Sequence, residues 1–169
     1  MSLEKQLESL FNLSTNIRGR FLDQVIVIER LIDDIISRHF CPEDYRFHLL
    51  FSLVATELTF HSRIKTLKTV LECCYPELLG KHPNLIKDIK KIKEFRNKIA
   101  HSMLDSSKDF LEKEYDDRIR LVFYRKGEKK YLVVKKDDIM KRLKACSQVV
   151  LALVDIQREV MQQVQTKKK

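Results

Sequence analysis

Residues 85–104 read LIKDIKKIKEFRNKIAHSML. Leu85, Ile89, Ile92, Ile99 and Met103 recur at intervals of three and four, the spacing that lines one face of an α-helix. At about 100° per residue they all fall within about 40° of Leu85, whereas Lys87, Lys90, Lys91 and Lys98 point the other way. Asn84 precedes the stretch and is a good N-cap. A long helix with an apolar face and a lysine face is therefore expected here.

The same periodicity extends to both sides. Leu7, Phe11, Ile17, Phe21, Val25, Ile28, Leu31, Ile32 and Ile35 predict one long helix or two collinear ones, with Gly19 as a point of bending. Phe47, Leu50, Phe51, Val54, Leu58, His61, Ile64, Leu67 and Leu71 predict a second long helix after the interruption at Pro42, ending before Tyr75 and Pro76. Ser106 and Asp109 have the spacing of a capping box and suggest a short helical turn. Two β-prone runs, Ile119–Tyr124 and Tyr131–Val134, flank RKGEKK, where Gly127 suits a hairpin turn. Asp137 is placed to cap a last helix that carries Ile139, Leu143, Cys146, Val150, Leu153 and Ile156 and runs to about Val164.

Composition supports a helical class. Three Gly and three Pro in 169 residues are too few for the many turns of a sandwich or barrel. The expectation is an all-α fold: an up-and-down bundle of four to five long helices with a β-hairpin insertion at 119–134. Residues 1–166 form a single domain in this reading, followed by a basic tail at 167–169. The apolar run from Val149 to Val154 is far short of the roughly 20 residues that span a bilayer. MSLEKQLESL has no apolar signal-peptide core, so no membrane association and a cytoplasmic location are expected. Cys41, Cys73, Cys74 and Cys146 do not resemble a secreted disulfide framework and are read as reduced thiols, partly buried. The five histidines, at 39, 48, 61, 82 and 101, show no zinc-site spacing, and no glycine-rich phosphate loop exists. No metal and no cofactor are expected. His61, on the apolar stripe, is read with the other histidines outside position 101 as packed or hydrogen-bonded.

Chemistry concentrates at FRNKIAHS, residues 95–102. Arg96 lies about 20° from Leu85 on the wheel, inside the apolar stripe. Burying a guanidinium there is costly without a partner. It either reaches the helix edge, pairs with an acid such as Asp33, Asp34 or Glu57, or serves a site. His101 follows five residues later. An imidazole can move the proton of an RNA 2′-hydroxyl or of a leaving oxygen, and a guanidinium can hold the charge that develops on phosphorus. Asn97, four residues before His101, could orient the ring. Arg96 and His101 diverge by about 140° on an ideal helix, so two copies related by a twofold axis focus them on one phosphate more simply than one copy does.

FRNKIAHS resembles the Arg, four residues, His signature of HEPN domains, in which a polar residue, often Asn, follows the Arg. The resemblance covers these eight residues and the helical layout of most of the chain. It implies a dimeric α-helical bundle that acts as a metal-independent endoribonuclease in a toxin–antitoxin, antiphage or RNA-processing role, with Arg96, Asn97 and His101 as catalytic residues. It also allows an antitoxin or regulatory protein partner. A non-catalytic HEPN-like regulatory or protein-interaction module is the alternative, and the mannitol-operon repressor family has a related look. The inserted hairpin departs from a plain bundle.

Charge points to RNA as the ligand. The chain carries 33 Lys and Arg against 24 Asp and Glu, a net charge of +9, and residues 81–98 and 125–136 are its densest basic segments. A phosphate backbone is the natural partner of such segments. Lys87, Lys90, Lys91 and Lys98 are the candidate RNA contacts, whereas the charge of the hairpin and tail is read as a solvated surface. No interleaved aromatic residues of the kind that stack bases are evident around FRNKIAHS.

Overall fold

The structure, a computed structural model, describes residues 2–41, 44–113 and 118–166. The basic tail at 167–169 and the interruption at Pro42 and Glu43 lie outside them. Helix α1 (Leu3–Phe40) runs unbroken through Gly19. It is followed by α2 (Asp44–Glu57), α3 (Phe60–Cys74), α4 (Pro76–Lys81) and α5 (Leu85–His101). After a two-residue strand β1 (Met103–Leu104) come α6 (Lys108–Lys113), the strands β2 (Arg118–Arg125) and β3 (Glu128–Lys135), and α7 (Lys136–Thr166). The chain is thus mostly helical with one small antiparallel sheet. Among the described residues no helix is long and apolar enough to cross a membrane.

Three expectations need correction. The second long helix is two helices, because Thr59 adopts an extended backbone (φ −65°, ψ 155°) and its hydroxyl accepts the Ser62 N–H at 3.2 Å. A threonine hydroxyl that satisfies the first free amides of a helix starts a new one there. The restart leaves Phe60 and Ile64 buried and His61 exposed. His61 is therefore exposed, and of the two expected states, packed or hydrogen-bonded, it has the second, with its Nδ1 3.5 Å from the Lys93 ammonium. The third helix stops at His101, so Met103 leaves the apolar stripe and is a strand residue, 60% exposed. The hairpin, finally, is part of a three-stranded sheet of order β1-β2-β3.

Local chemistry explains the sheet. Lys126 and Gly127 both have positive φ, 54° and 80°, the conformation of the two-residue turn whose twist suits a hairpin. The register pairs Ile119 with Val134 and Leu121 with Leu132 on one face. On the other face Val122 pairs with Tyr131 and Tyr124 with Lys129. Alternation buries Ile119, Leu121 and Val134 on the first face, and Val122 on the second face is buried as well.

The chain divides into two compact units, residues 1–23 with 94–144, and residues 24–93 with 145–169; α1, α5 and α7 each contribute a segment to both. In the first unit the core contains Phe21, Phe95, Ile99, Phe110, Ile119 and Leu121. Phe21 and Phe95 meet edge to face with centroids 4.9 Å apart, a favoured aromatic geometry. Arg142 caps the Phe95 ring at 3.6 Å.

The second unit is helical throughout, with Ile28, Ile32, Ile64, Leu67, Leu71, Leu153 and Ile156 in its core. Asp33 and Arg63 are buried within it, and Arg63 donates to Asp33 at 2.8 Å and to Glu29 at 3.1 Å. Burial pushes the Asp33 carboxyl above the usual range, and the Arg63 guanidinium pulls it back. His39 Nδ1 meets the Tyr75 hydroxyl at 3.0 Å, so this histidine is hydrogen-bonded as expected. No disulfide joins the four cysteines: Cys146 is buried, Cys41 half-buried, and Cys73 and Cys74 exposed.

Removing one member of a buried ion pair leaves the other charge without compensation. Asp33→Ala is expected to cost about 3 kcal/mol in urea denaturation. A loss below about 1 kcal/mol, the worth of a surface pair, would show that Arg63 finds water or Glu29 at no penalty.

Candidate functional site

The FRNKIAHS segment lies at the C-terminal end of α5, in the first unit. A helix end presents carbonyls that have no partner within the helix. Here the Ser102 hydroxyl turns back to the Lys98 carbonyl, and Arg18 of α1 donates to the Ser102 carbonyl at 3.4 Å. Ser102 is buried while its neighbour His101 is exposed. The termination thus fixes the backbone beside His101 and leaves the imidazole in solvent.

The chain then enters β1, whose Met103 and Leu104 pair with Val122 and Leu121. This pairing sets the far half of β2 beside the helix end. An open groove of about 710 Å³ results, with Asn97, Lys98 and His101 on one wall and Phe123, Tyr124 and Arg125 on the other. Glu94 is its acidic member. Among the described residues the His101 ring has no hydrogen-bond partner.

The other sequence-derived residues are placed unequally. Arg96 is half-buried and does not line the groove. Its Nη1 donates to the Asn97 Oδ1 at 3.3 Å, so the asparagine amide engages the arginine, not the histidine as anticipated. Asp33 is held by Arg63, and Asp34 by Arg38 and by Gln157 at 2.5 Å. One copy therefore does not bring Arg96 and His101 to the same wall. Lys98 is exposed in the groove. Lys87, Lys90 and Lys91 are exposed residues of the second unit, and Lys91 is engaged by Asp88 at 2.8 Å.

Phe123, Tyr124 and Arg125 were not among the anticipated site residues. Alternation along β2 shows which of them share a face, but nothing in the local sequence pairs residues 103–104 with 121–122. Among the described residues no group of three His, Cys, Asp or Glu side chains could hold a metal ion. Comparison of the chain with protein-family models, curated proteins and solved structures gives no match.

The loop after β1 is held by charge. Arg120 Nε donates to Asp105 Oδ2 at 2.7 Å, and the Ser107 N–H donates to Oδ1 at 3.0 Å. The Asp105 N–H in turn donates to the Arg120 carbonyl at 2.8 Å. Burial opposes ionisation of Asp105, but the Ser107 donors and the Arg120 guanidinium outweigh it and hold the carboxyl below its ordinary value of 3.8. A lowered folded pKa gives stability that is present above the unfolded pKa and is lost as pH falls through the folded one. Asp105→Asn is therefore expected to destabilise the protein by about 1–3 kcal/mol at neutral pH. The gap from wild type should narrow as pH drops below 3.8; denaturation curves with a gap independent of pH would refute the assignment.

Proposed function

We propose that the protein is a metal-independent endoribonuclease of the HEPN type. It acts as a homodimer, with Arg96 of one copy and His101 of the other on a single scissile phosphate. The observation that carries this reading is His101: an imidazole with no hydrogen-bond partner among the described residues, exposed at a fixed helix end, in a groove lined also by Lys98, Arg125 and the single acid Glu94. Free imidazole in a cationic groove suits general acid–base work on a phosphodiester. The mutual divergence of Arg96 and His101 within one copy supports the twofold arrangement. The helical part is read as an up-and-down bundle with the sheet inserted between α5 and α7.

The chemistry is a transesterification. The RNA 2′-oxygen bonds to phosphorus as its proton leaves, and the bond from phosphorus to the 5′-oxygen breaks as that oxygen takes a proton. His101 serves one of these transfers. Arg96 holds two non-bridging oxygens as their charge grows, which its planar fork does and a point charge does not. Asn97 accepts from the Arg96 guanidinium and so fixes its orientation for the neighbouring copy's site. Lys98 contributes attraction for the backbone, as Lys87, Lys90 and Lys91 do through their charge. A toxin role, checked by an antitoxin partner, follows from the same reading.

Purified protein should cleave single-stranded RNA in EDTA, leaving 2′,3′-cyclic phosphate and 5′-hydroxyl ends. Arg96→Lys and His101→Ala should each lower the rate by at least about a hundredfold. Activity that disappears in EDTA and returns with Mg²⁺ sinks the mechanism. Growth arrest on overexpression that persists in His101→Ala assigns the protein to the non-catalytic module instead.

The composite site has its own test. Light scattering should show a dimer at tens of micromolar. Mixing inactive Arg96→Ala with inactive His101→Ala should restore roughly a quarter of wild-type activity, since half of randomly mixed dimers are hybrids with one intact site of two. No recovery after verified exchange of subunits overturns the composite arrangement.

A further inference from the structure

The outer face of the sheet presents aromatic rings among cations. Strand register places Tyr124 opposite Lys129, Val122 opposite Tyr131 and Arg120 opposite Val133, all on the face turned away from Ile119 and Leu121; Val122 is buried and Arg120 nearly so, which leaves Tyr124, Lys129, Tyr131 and Val133 as the open part of the face. Tyr124 is 63% exposed, Tyr131 50% and Val133 40%. Cations surround Tyr131. Arg120, already committed to Asp105, lies 5.1 Å from its ring, and the Lys129 ammonium 5.3 Å. Lys126, in the turn before β3, and Lys135, at its end, stand exposed. Exposed rings beside cations form an amphipathic surface suited to a ligand that is both aromatic and anionic.

We infer that this face is a platform for single-stranded RNA, on which Tyr124 and Tyr131 stack successive unpaired bases while Lys126, Lys129 and Lys135 attract the phosphates. The argument for a nucleic acid is charge complementarity. Residues 125–136 carry six Lys and Arg against the single acid Glu128. Exposed aromatic rings among cations are how sheets hold unpaired bases without reading sequence. The two tyrosines are diagonal neighbours, about 7–8 Å apart at the backbone, so each ring can take its own base. The platform is also continuous with the groove, because Tyr124 lines the wall opposite His101. A strand lying over Tyr131 and Tyr124 is therefore led toward the imidazole. The inference rests on the reading of that groove as an RNA-cleaving site, and supplies its substrate class: an unpaired segment that enters over β3.

Anisotropy of a fluorescein-labelled dodecamer of uridine, with a hairpin RNA as the paired control, tests the inference in full-length protein carrying His101→Ala so that no cleavage occurs. Adding Tyr131→Ala should weaken binding of the single strand by roughly tenfold, the loss of one stacked base. Tyr131→Phe, which keeps the ring, should stay within about twofold. Hairpin binding should not change with either. The chain has five Tyr and no Trp, so quenching of tyrosine emission by the dodecamer is a second readout, and it should shrink in Tyr131→Ala. Equal affinity of the two Tyr131 variants for the single strand overturns stacking, as does an equal loss on hairpin and single strand. No binding of either RNA at low salt overturns the platform and leaves the face to a protein partner. Failure of the cleavage reading is distinguishable: wild-type protein would then bind the dodecamer with the Tyr131 dependence above but leave it intact.

Discussion

The termination of α5 is the constraint on which the site depends. If the helix continued past His101, Met103 would fall on the apolar stripe, and Met103 and Leu104 could not pair with β2. The Ser102 hydroxyl on the Lys98 carbonyl and Arg18 on the Ser102 carbonyl satisfy acceptors that would otherwise be left open at the helix end. With the helix closed at that residue, the chain passes into β1 and β2 is brought alongside. The groove is the space between a stopped helix and a captured strand.

Charges hold the rest of that unit in place. Asp105 takes Arg120 and the Ser107 N–H together, which fixes the turn from β1 into α6. The same Arg120 lies 4.7 Å from the Phe110 ring and 5.1 Å from the Tyr131 ring. A single guanidinium thus joins the loop, the core beneath it and the exposed aromatic face above. In the second unit Arg63 is bound to Asp33 and Glu29, tying α3 to α1 by an ion pair that is safe only while complete.

A ribonuclease reading draws strength from division of labour between these parts. In the proposed mechanism helix α5 supplies the imidazole and, from another copy, the guanidinium. The sheet offers rings and lysines suited to carry an unpaired strand. Neither half alone explains why an exposed histidine with no hydrogen-bond partner among the described residues and an exposed tyrosine should line one groove.

Much of this was legible before the structure. The apolar periodicities at 7–35, 85–99 and 139–156 specify helices because packing one face is the only way to remove those side chains from water, and β-branched runs around Gly127 specify a hairpin because only Gly, Asn or Asp readily take positive φ in its turn. Of the residues singled out in and around FRNKIAHS, Asn97, Lys98 and His101 line the groove and Arg96 does not. Local spacing could not show that Thr59 restarts a helix in the middle of an apolar stripe, which exposes His61, since a capping hydroxyl and a helical threonine look alike in sequence. Nor could it show that Tyr124 faces His101 or that Tyr131 stands open beside Arg120. Those facts depend on the pairing of residues 103–104 with 121–122, a contact between positions far apart in the chain whose register is chosen by what the whole sheet buries.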